Sequence, residues 1–245
     1  MRYSKLSDIV VESFTGRLKK SAAFYRSFLE PSTGSNKLAF DIGANKGNKI
    51  AALLELGFNV IALEPEINSL STLKWRFAKD ERVTIIEKGV SDKKGSTNIF
   101  ISEPRSGLNT MSEKWVDVLN HPDDNRWNKK VSYKNSYEVE LTTLDDLIQQ
   151  YGVPYFIKID VEGYEENVIR GLSQNPAFLS FETNLPEFLN ETIGCIHHLS
   201  GLSEKAIYNY SLDDKLESGK WLTAAEMIEK IKDKTMRYME IVCKF

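Results

Sequence analysis

Between residues 38 and 57 the chain reads as an apolar strand, a glycine loop and a helix. Leu38 to Ile42 is apolar except for Asp41, Gly43-Ala44-Asn45-Lys46-Gly47 follows, and Lys49 to Leu56 has helical periodicity that Gly57 stops. Asn59 to Leu63 is a second apolar run. Two strands joined through a helix make a βαβ unit, which calls for a parallel sheet with crossover helices on its faces. That directs the chain to an α/β fold.

The pattern recurs along the rest of the sequence. After Pro65, residues Ile67, Leu70, Leu73 and Phe77 share a helix face, and Val83 to Ile86 is a third strand. Ser96 to Ile101 and Tyr137 to Leu141 alternate in polarity and can pair antiparallel. Thr143 is positioned to cap a helix through Leu144, Leu147 and Ile148, and Tyr155 to Val161 is a buried strand before the helix Glu165 to Leu172. Ala177 to Phe181 is another strand, followed after Pro186 by a helix carrying Leu189, Ile193 and Ile196, and by extended Ala206 to Tyr210. Thr223 and Glu226 form a capping box before Met227, Ile228 and Ile231, and Tyr238 to Cys243 closes the chain as a strand.

No repeat and no Pro/Gly/Ser-rich linker divides the chain, so residues 37–245 are expected to form one domain. Residues 1–36, with Ile9, Val10, Phe14 and Leu18 on one face, are expected to form an N-terminal helical cap. The polar stretch 103–135, holding Trp115, His121 and Trp127, is long for a plain connection and is expected to act as a lid.

Composition removes several function classes. With 32 Lys plus Arg against 35 Asp plus Glu in 245 residues, net charge is −3, which gives no electrostatic reason to bind nucleic acid. No apolar run approaches the ~18 to 20 residues of a membrane span. Charged residues interrupt the first thirty positions, as a signal peptide would not allow, so a cytoplasmic location is expected. Cys195 and Cys243 lack zinc or disulfide spacing, no histidine has ligand spacing, and no metal is expected.

The chemistry concentrates at strand ends. Gly43 and Gly47 let the backbone turn sharply and approach a ligand at a helix N-terminus. Asp-x-Gly-x-x-x-Gly departs from the dinucleotide fingerprint, and Asp41 would repel a pyrophosphate while tolerating an ammonium or sulfonium, so a nicotinamide dinucleotide is disfavoured. Glu64 ends the second strand 23 positions after Asp41, where a carboxylate can accept both hydroxyls of a ribose diol. Asp92 follows the third strand and can accept an amino proton from adenine. Asp160 and Glu162 are two apart at the end of a strand and so point to the same side. Such a pair can supply a base with a raised pKa or hold a cation. Glu182, at the end of the following strand, can add to the same rim.

Phe40-Asp41-Ile42-Gly43-Ala44-Asn45-x-Gly47, Leu63-Glu64-Pro65, Val90-Ser91-Asp92-x-x-Gly95, Leu144-Asp145 and Ile157-Lys158-Ile159-Asp160-Val161-Glu162-Gly163-x-Glu165 together resemble the FkbM family of S-adenosylmethionine-dependent methyltransferases, over about residues 37–185. The resemblance implies a single Rossmann-like class I methyltransferase domain with seven strands in the order 3-2-1-4-5-7-6, the last antiparallel, and helices on both faces. It implies S-adenosylmethionine as cofactor, with Asp41, Gly43, Asn45 and Gly47 around its methionine part, Glu64 on the ribose and Asp92 on the adenine. Asp160 and Glu162 would then face the reaction, and either is a candidate base. The implied activity is O-methylation of a sugar, glycan or secondary metabolite. Methyl transfer to nitrogen and a non-catalytic nucleotide-binding scaffold are the competing readings.

Overall fold

The computed structural model describes residues 16–29, 36–121, 130–233 and 235–245. In chain order its elements are α1 (Arg17–Arg26), β1 (Leu38–Ile42), α2 (Asn48–Glu55), β2 (Asn59–Leu63), α3 (Ile67–Arg76), β3 (Val83–Ile86), β4 (Gly89–Val90), β5 (Gly95–Ile101), α4 (Glu113–Asn120), β6 (Asn135–Thr142), α5 (Leu144–Tyr151), β7 (Phe156–Ile159), α6 (Glu165–Arg170), β8 (Phe178–Asn184), α7 (Leu189–Leu202), β9 (Ile207–Ser211), α8 (Ala224–Ile231) and β10 (Tyr238–Lys244).

Seven strands form the main sheet in the order β3-β2-β1-β7-β8-β10-β9, with β10 antiparallel to both neighbours. Counted within that sheet alone, the order is 3-2-1-4-5-7-6 with the last strand reversed. The other three strands form a small sheet, β4-β6-β5, in which Ser96 faces Glu140 and Ile99 faces Tyr137 in antiparallel register, as their alternation predicts.

Every residue of β1 and β7 is buried, because helices cover both faces of the sheet. On one face Phe40, Ile42, Ile159 and Phe181 pack with Leu147, Val168, Ile196 and Met227 from α5 to α8. On the other, Ala39, Phe156, Phe178 and Val242 meet Phe24, Tyr25 and Phe28 of the α1 region and Ile50 and Leu53 of α2. The Tyr25 ring lies 5.4 Å from Phe156, and Phe28 lies 5.8 Å from Phe178. The described part of the N-terminal segment is thus a layer of the core; Ile9, Val10 and Phe14 lie outside the described residues.

Helix ends follow their expected chemistry. The Thr143 side chain accepts from Asp146 N at 3.0 Å, and Thr223 with Glu226 makes the full capping box. Within the segment expected to act as a lid, α4 buries Trp115 against Phe188 with ring centroids 5.5 Å apart, so this helix is packed body. Trp127 lies outside the described residues. Trp75 is 39% exposed and packs its helix less than an aromatic at that position suggests. No helix among the described residues is long and apolar enough to cross a membrane.

This topology delivers the carboxyl ends of β1, β2, β7 and β8 to one edge of the sheet. The reversal of β10 sets Tyr238 opposite Asn184 and Glu240 opposite Glu182 at the same edge.

Candidate active site

The loop after β1 is tied to the end of β2. Gly43 N and Ala44 N both donate to the Leu63 carbonyl at 3.0 Å. Asn45, in the left-handed region at φ 46°, donates its N–H to Glu64 Oε2 at 2.7 Å, and Glu66 N donates to Glu64 Oε1 at 2.7 Å. These bonds fix the carboxylate and leave each oxygen a further lone pair for a ligand. Burial pushes Glu64 up to about 7 despite the two backbone donors. At Gly43, with φ 84°, a Cβ would fall 1.9 Å from the Asp160 carbonyl oxygen, so a glycine lets the β1 turn lie against the β7 turn.

The β7 turn carries the densest charge. Lys158 is 1% exposed, and its Nζ donates to Asp160 Oδ2 at 2.7 Å. Burial works against the ammonium, but Asp160, Glu182, Asp41 and Glu240 outweigh it and hold its pKa above the ordinary lysine value. Asp41 is buried, and neither of its oxygens has a hydrogen-bond partner among the described residues. Burial raises it to about 6, with Lys158 opposing and Asp160 adding to the rise. Glu162, left-handed at φ 53°, accepts from the Trp115 indole N–H at 3.2 Å. Burial, then the charges of Asp160 and Glu182, push it well above the carboxylate range. Glu182 is raised by burial and Asp160, with Lys158 opposing. Glu165 accepts from Val161 N at 3.1 Å and Gly163 N at 3.3 Å, which clamps the turn that presents Glu162.

Two adjoining chambers open here. The first is walled by Glu64, Pro65, Gly89, Val90, Ile99, Met111 and Glu162. The second is walled by Asp41, Lys46, Lys49, Arg105 and Lys158. Gly43, Asn45, Gly107 and Asp160 border both, so Asp160 stands at the junction. The loop 102–110 roofs them. Its neck is closed by Ser102 N donating to Asn109 Oδ1 at 2.9 Å and by paired backbone bonds between Phe100 and Thr110. It is pinned to the walls by Arg105 N donating to Glu66 Oε2 at 3.2 Å and by the Thr110 hydroxyl donating to the Glu162 carbonyl at 2.7 Å.

Six of the residues expected from the sequence come together: Asp41, Gly43, Asn45, Glu64, Asp160 and Glu162. Two do not. Gly47 faces Phe77 and Leu73, where a Cβ has no room, and fits α2 to α3 instead of lining a chamber. Asp92 is exposed, because Ser91 N bonds the Thr142 carbonyl and the chain then turns outward toward β5; Gly89 and Val90 take the wall position. Sequence reasoning missed Arg105, Gly107 and the indole of Trp115. Lys158 carried a usable signal, being a charge inside an apolar strand two positions before Asp160. Among the described residues, no group of three or more His, Cys, Asp or Glu side chains could hold a metal ion.

The arrangement suits a flat, partly apolar ring system with a diol in the first chamber and a charged tail in the second. The open lone pairs of Glu64 and the unpartnered carboxylate of Asp41 are where such a ligand would bond.

The family model of the methyltransferase FkbM domain matches residues 41–199, more than half of the chain. No curated protein gives a significant match. Among solved structures, the chain is similar to precorrin-6y C5,15-methyltransferase from Geobacter metallireducens, at 10% identity over 92% of this chain and 85% of that one, with a TM-score of 0.46. It is also similar to the plantazolicin methyltransferase BpumL in complex with SAH, at 8% identity over 99% and 89%, TM-score 0.43. A third is a TehB-like SAM-dependent methyltransferase from Corynebacterium glutamicum, at 10% identity over 92% and 86%, TM-score 0.43.

Proposed function

Since the chain belongs to the FkbM methyltransferase family, we propose that it transfers the methyl group of S-adenosylmethionine to a hydroxyl oxygen of a sugar, glycan or secondary metabolite. The observation that carries this reading is the meeting of the two chambers at Asp160. The first chamber would take the adenosine, with Glu64 to accept from the ribose hydroxyls and Val90, Ile99 and Met111 to flank the base. An amino-acid tail fits the second, with Asp41 accepting from its ammonium. The group that joins these two parts then belongs at the junction, beside a carboxylate.

The cofactor supplies a methyl already activated by a sulfonium; the protein has to align the acceptor and take its proton. An alcohol is a poor nucleophile at neutral pH, and a base within hydrogen-bond reach contributes about 10² to 10⁴-fold. Asp160 and Glu162 are the candidates. Lys158 fixes the orientation of Asp160 through one oxygen, leaving the other for an acceptor proton. Trp115 does the same for Glu162. With the cofactor bound, the acceptor O–H would become O–CH₃ with release of S-adenosylhomocysteine, and the acceptor proton would pass to the carboxylate of Asp160 or Glu162 and then to solvent.

The test is a screen of purified protein with methyl-labelled cofactor against hydroxylated sugars, glycans and metabolites, and against amines. Label transfer to oxygen with stoichiometric S-adenosylhomocysteine supports the reading. Transfer to amines only assigns N-methylation. Cofactor binding without turnover on any acceptor would favour the scaffold.

A further inference from the structure

Resting on that reading, we infer that a groove beside the first chamber, between β5, the start of α4 and α6, holds the body of the acceptor and selects one that is rich in hydroxyls and carries no negative charge. The groove measures about 410 Å³, within the range of small-molecule sites. Met111 walls both it and the first chamber. Glu162 lines the chamber, and Gly163, next in the chain, lines the groove, so a molecule in the groove ends at the turn that carries a candidate base.

That turn and the groove are built against each other. Gly163 has φ 87°, and a Cβ on it would fall 2.6 Å from Phe188 Cζ, so a glycine lets the Phe188 ring rest on the turn. Phe188 packs on Trp115, whose indole holds Glu162, and lies under Lys114, whose Nζ is 4.7 Å from the ring centre. The inner wall therefore has a fixed position relative to Glu162.

The remaining walls match hydroxyl groups. Thr97 and Asn98 of β5 and Asn167 of α6 have no side-chain hydrogen bond among the described residues, and an amide offers donors and an acceptor to a hydroxyl that is itself both. The half-buried rings of Phe100 and Tyr164 offer apolar surface to the C–H face of a ring that carries such hydroxyls. Charge sets the exclusion. Lys114 is the one basic side chain in these walls among the described residues, and it is engaged with Glu191. Glu113 and Glu166 add two more carboxylates, the second paired with Arg170 from outside the groove. A phosphate or uronate would therefore lie among negative charges with no free cation to meet it.

The test is a glycan array carrying uncharged, uronate-bearing and phosphorylated chains, probed with the wild-type protein and S-adenosylhomocysteine, followed by calorimetric titration of the best-bound chain into variants. Uncharged chains are expected to give the strongest binding. Phe100→Ala and Asn167→Ala are each expected to weaken the chosen chain by about 3 to 10-fold. Phe100→Tyr, which keeps a ring and guards against a misfolded alanine variant, is expected to stay within about twofold of wild type. S-adenosylhomocysteine, whose chambers neither side chain walls, is expected to bind every variant within about twofold. Strongest binding of anionic chains, no binding of any chain, affinity that none of the variants changes, or equal loss of chain and S-adenosylhomocysteine overturns the inference, while binding of S-adenosylhomocysteine by the wild type keeps the cofactor reading beneath it. Wild-type protein that does not bind S-adenosylhomocysteine overturns both.

Discussion

The Lys158 ammonium lies 2.7 Å from the Asp160 carboxylate, and the two differ sharply in their access to water: the lysine side chain is 1% exposed and the aspartate 27%. The buried partner is therefore the cation. It lies among four carboxylates on the face of the sheet that carries the second chamber, and it holds Asp160 where the chambers meet.

Lys158→Met should be the more destabilising way to break this pair. It leaves Asp41, Asp160, Glu182 and Glu240 without their shared counter-charge, and a loss of about 3–5 kcal/mol is expected in urea unfolding. Asp160→Asn leaves the ammonium with three carboxylates, and should cost less than about half as much while reducing methyl transfer by about 10² to 10⁴-fold if Asp160 is the base. A Lys158→Met protein as stable as wild type would contradict the arrangement.

Gly43→Ala should damage both stability and ligand binding. Its Cβ would lie 1.9 Å from the Asp160 carbonyl oxygen at a positive φ, so the β1 and β7 turns must separate. A cost of at least about 2 kcal/mol is expected from the left-handed backbone and the forced shift together. Thermal unfolding with and without cofactor reads both effects.

Glu64 should make cofactor affinity depend on pH. Its carboxyl is raised from 4.5 to about 7, so the folded protein holds this proton more tightly than the unfolded chain does. Its stabilising contribution is complete below about 4.5 and declines as pH rises through about 7, at up to about 1.4 kcal/mol per pH unit. Ribose hydroxyls donate to the ionised form, so cofactor binding should tighten over the same window and level off above it. Glu64→Gln should flatten both trends. Affinity that is constant from pH 5.5 to 8.5 in the wild type would show that no diol bonds this carboxylate.

Trp115→Phe should separate the indole's hydrogen bond from its packing. The ring can still meet Phe188, but Glu162 loses its donor, at a cost of about 1–2 kcal/mol. That donor opposes the upward push on Glu162, so its loss moves the carboxyl higher still. If Glu162 is the base, the acidic limb of the rate profile shifts to higher pH; an unmoved limb assigns the proton to another group.

The sequence was legible where local pattern alone decides position. Glu64 and Asp160 each follow an apolar run and Asp41 stands one residue before the end of β1, and a strand end at the carboxyl edge of a parallel sheet is where a ligand can meet a side chain. The capping box at Thr223 and the antiparallel pair of β5 with β6 were readable for the same reason. Asp92 was not, because its direction is set by β4 pairing with β6, about fifty residues further on, which no local signal announces. Gly47 has the conformation its motif suggests but serves the contact with Phe77, a partner thirty residues away. Arg105 and Gly107 belong to a roof whose path depends on bonds to Glu66 and Glu162, so the length and polarity of the segment led to the expectation of a lid but not to which of its residues border the chambers.

The most direct test of the paired chambers as a cofactor site is calorimetric titration of the wild-type protein and of Glu64→Ala with S-adenosylmethionine and S-adenosylhomocysteine. Both ligands should bind the wild type at one site per chain, and Glu64→Ala should weaken each by about 10 to 100-fold. Absence of binding to the wild type, or equal binding by the two proteins, would contradict it.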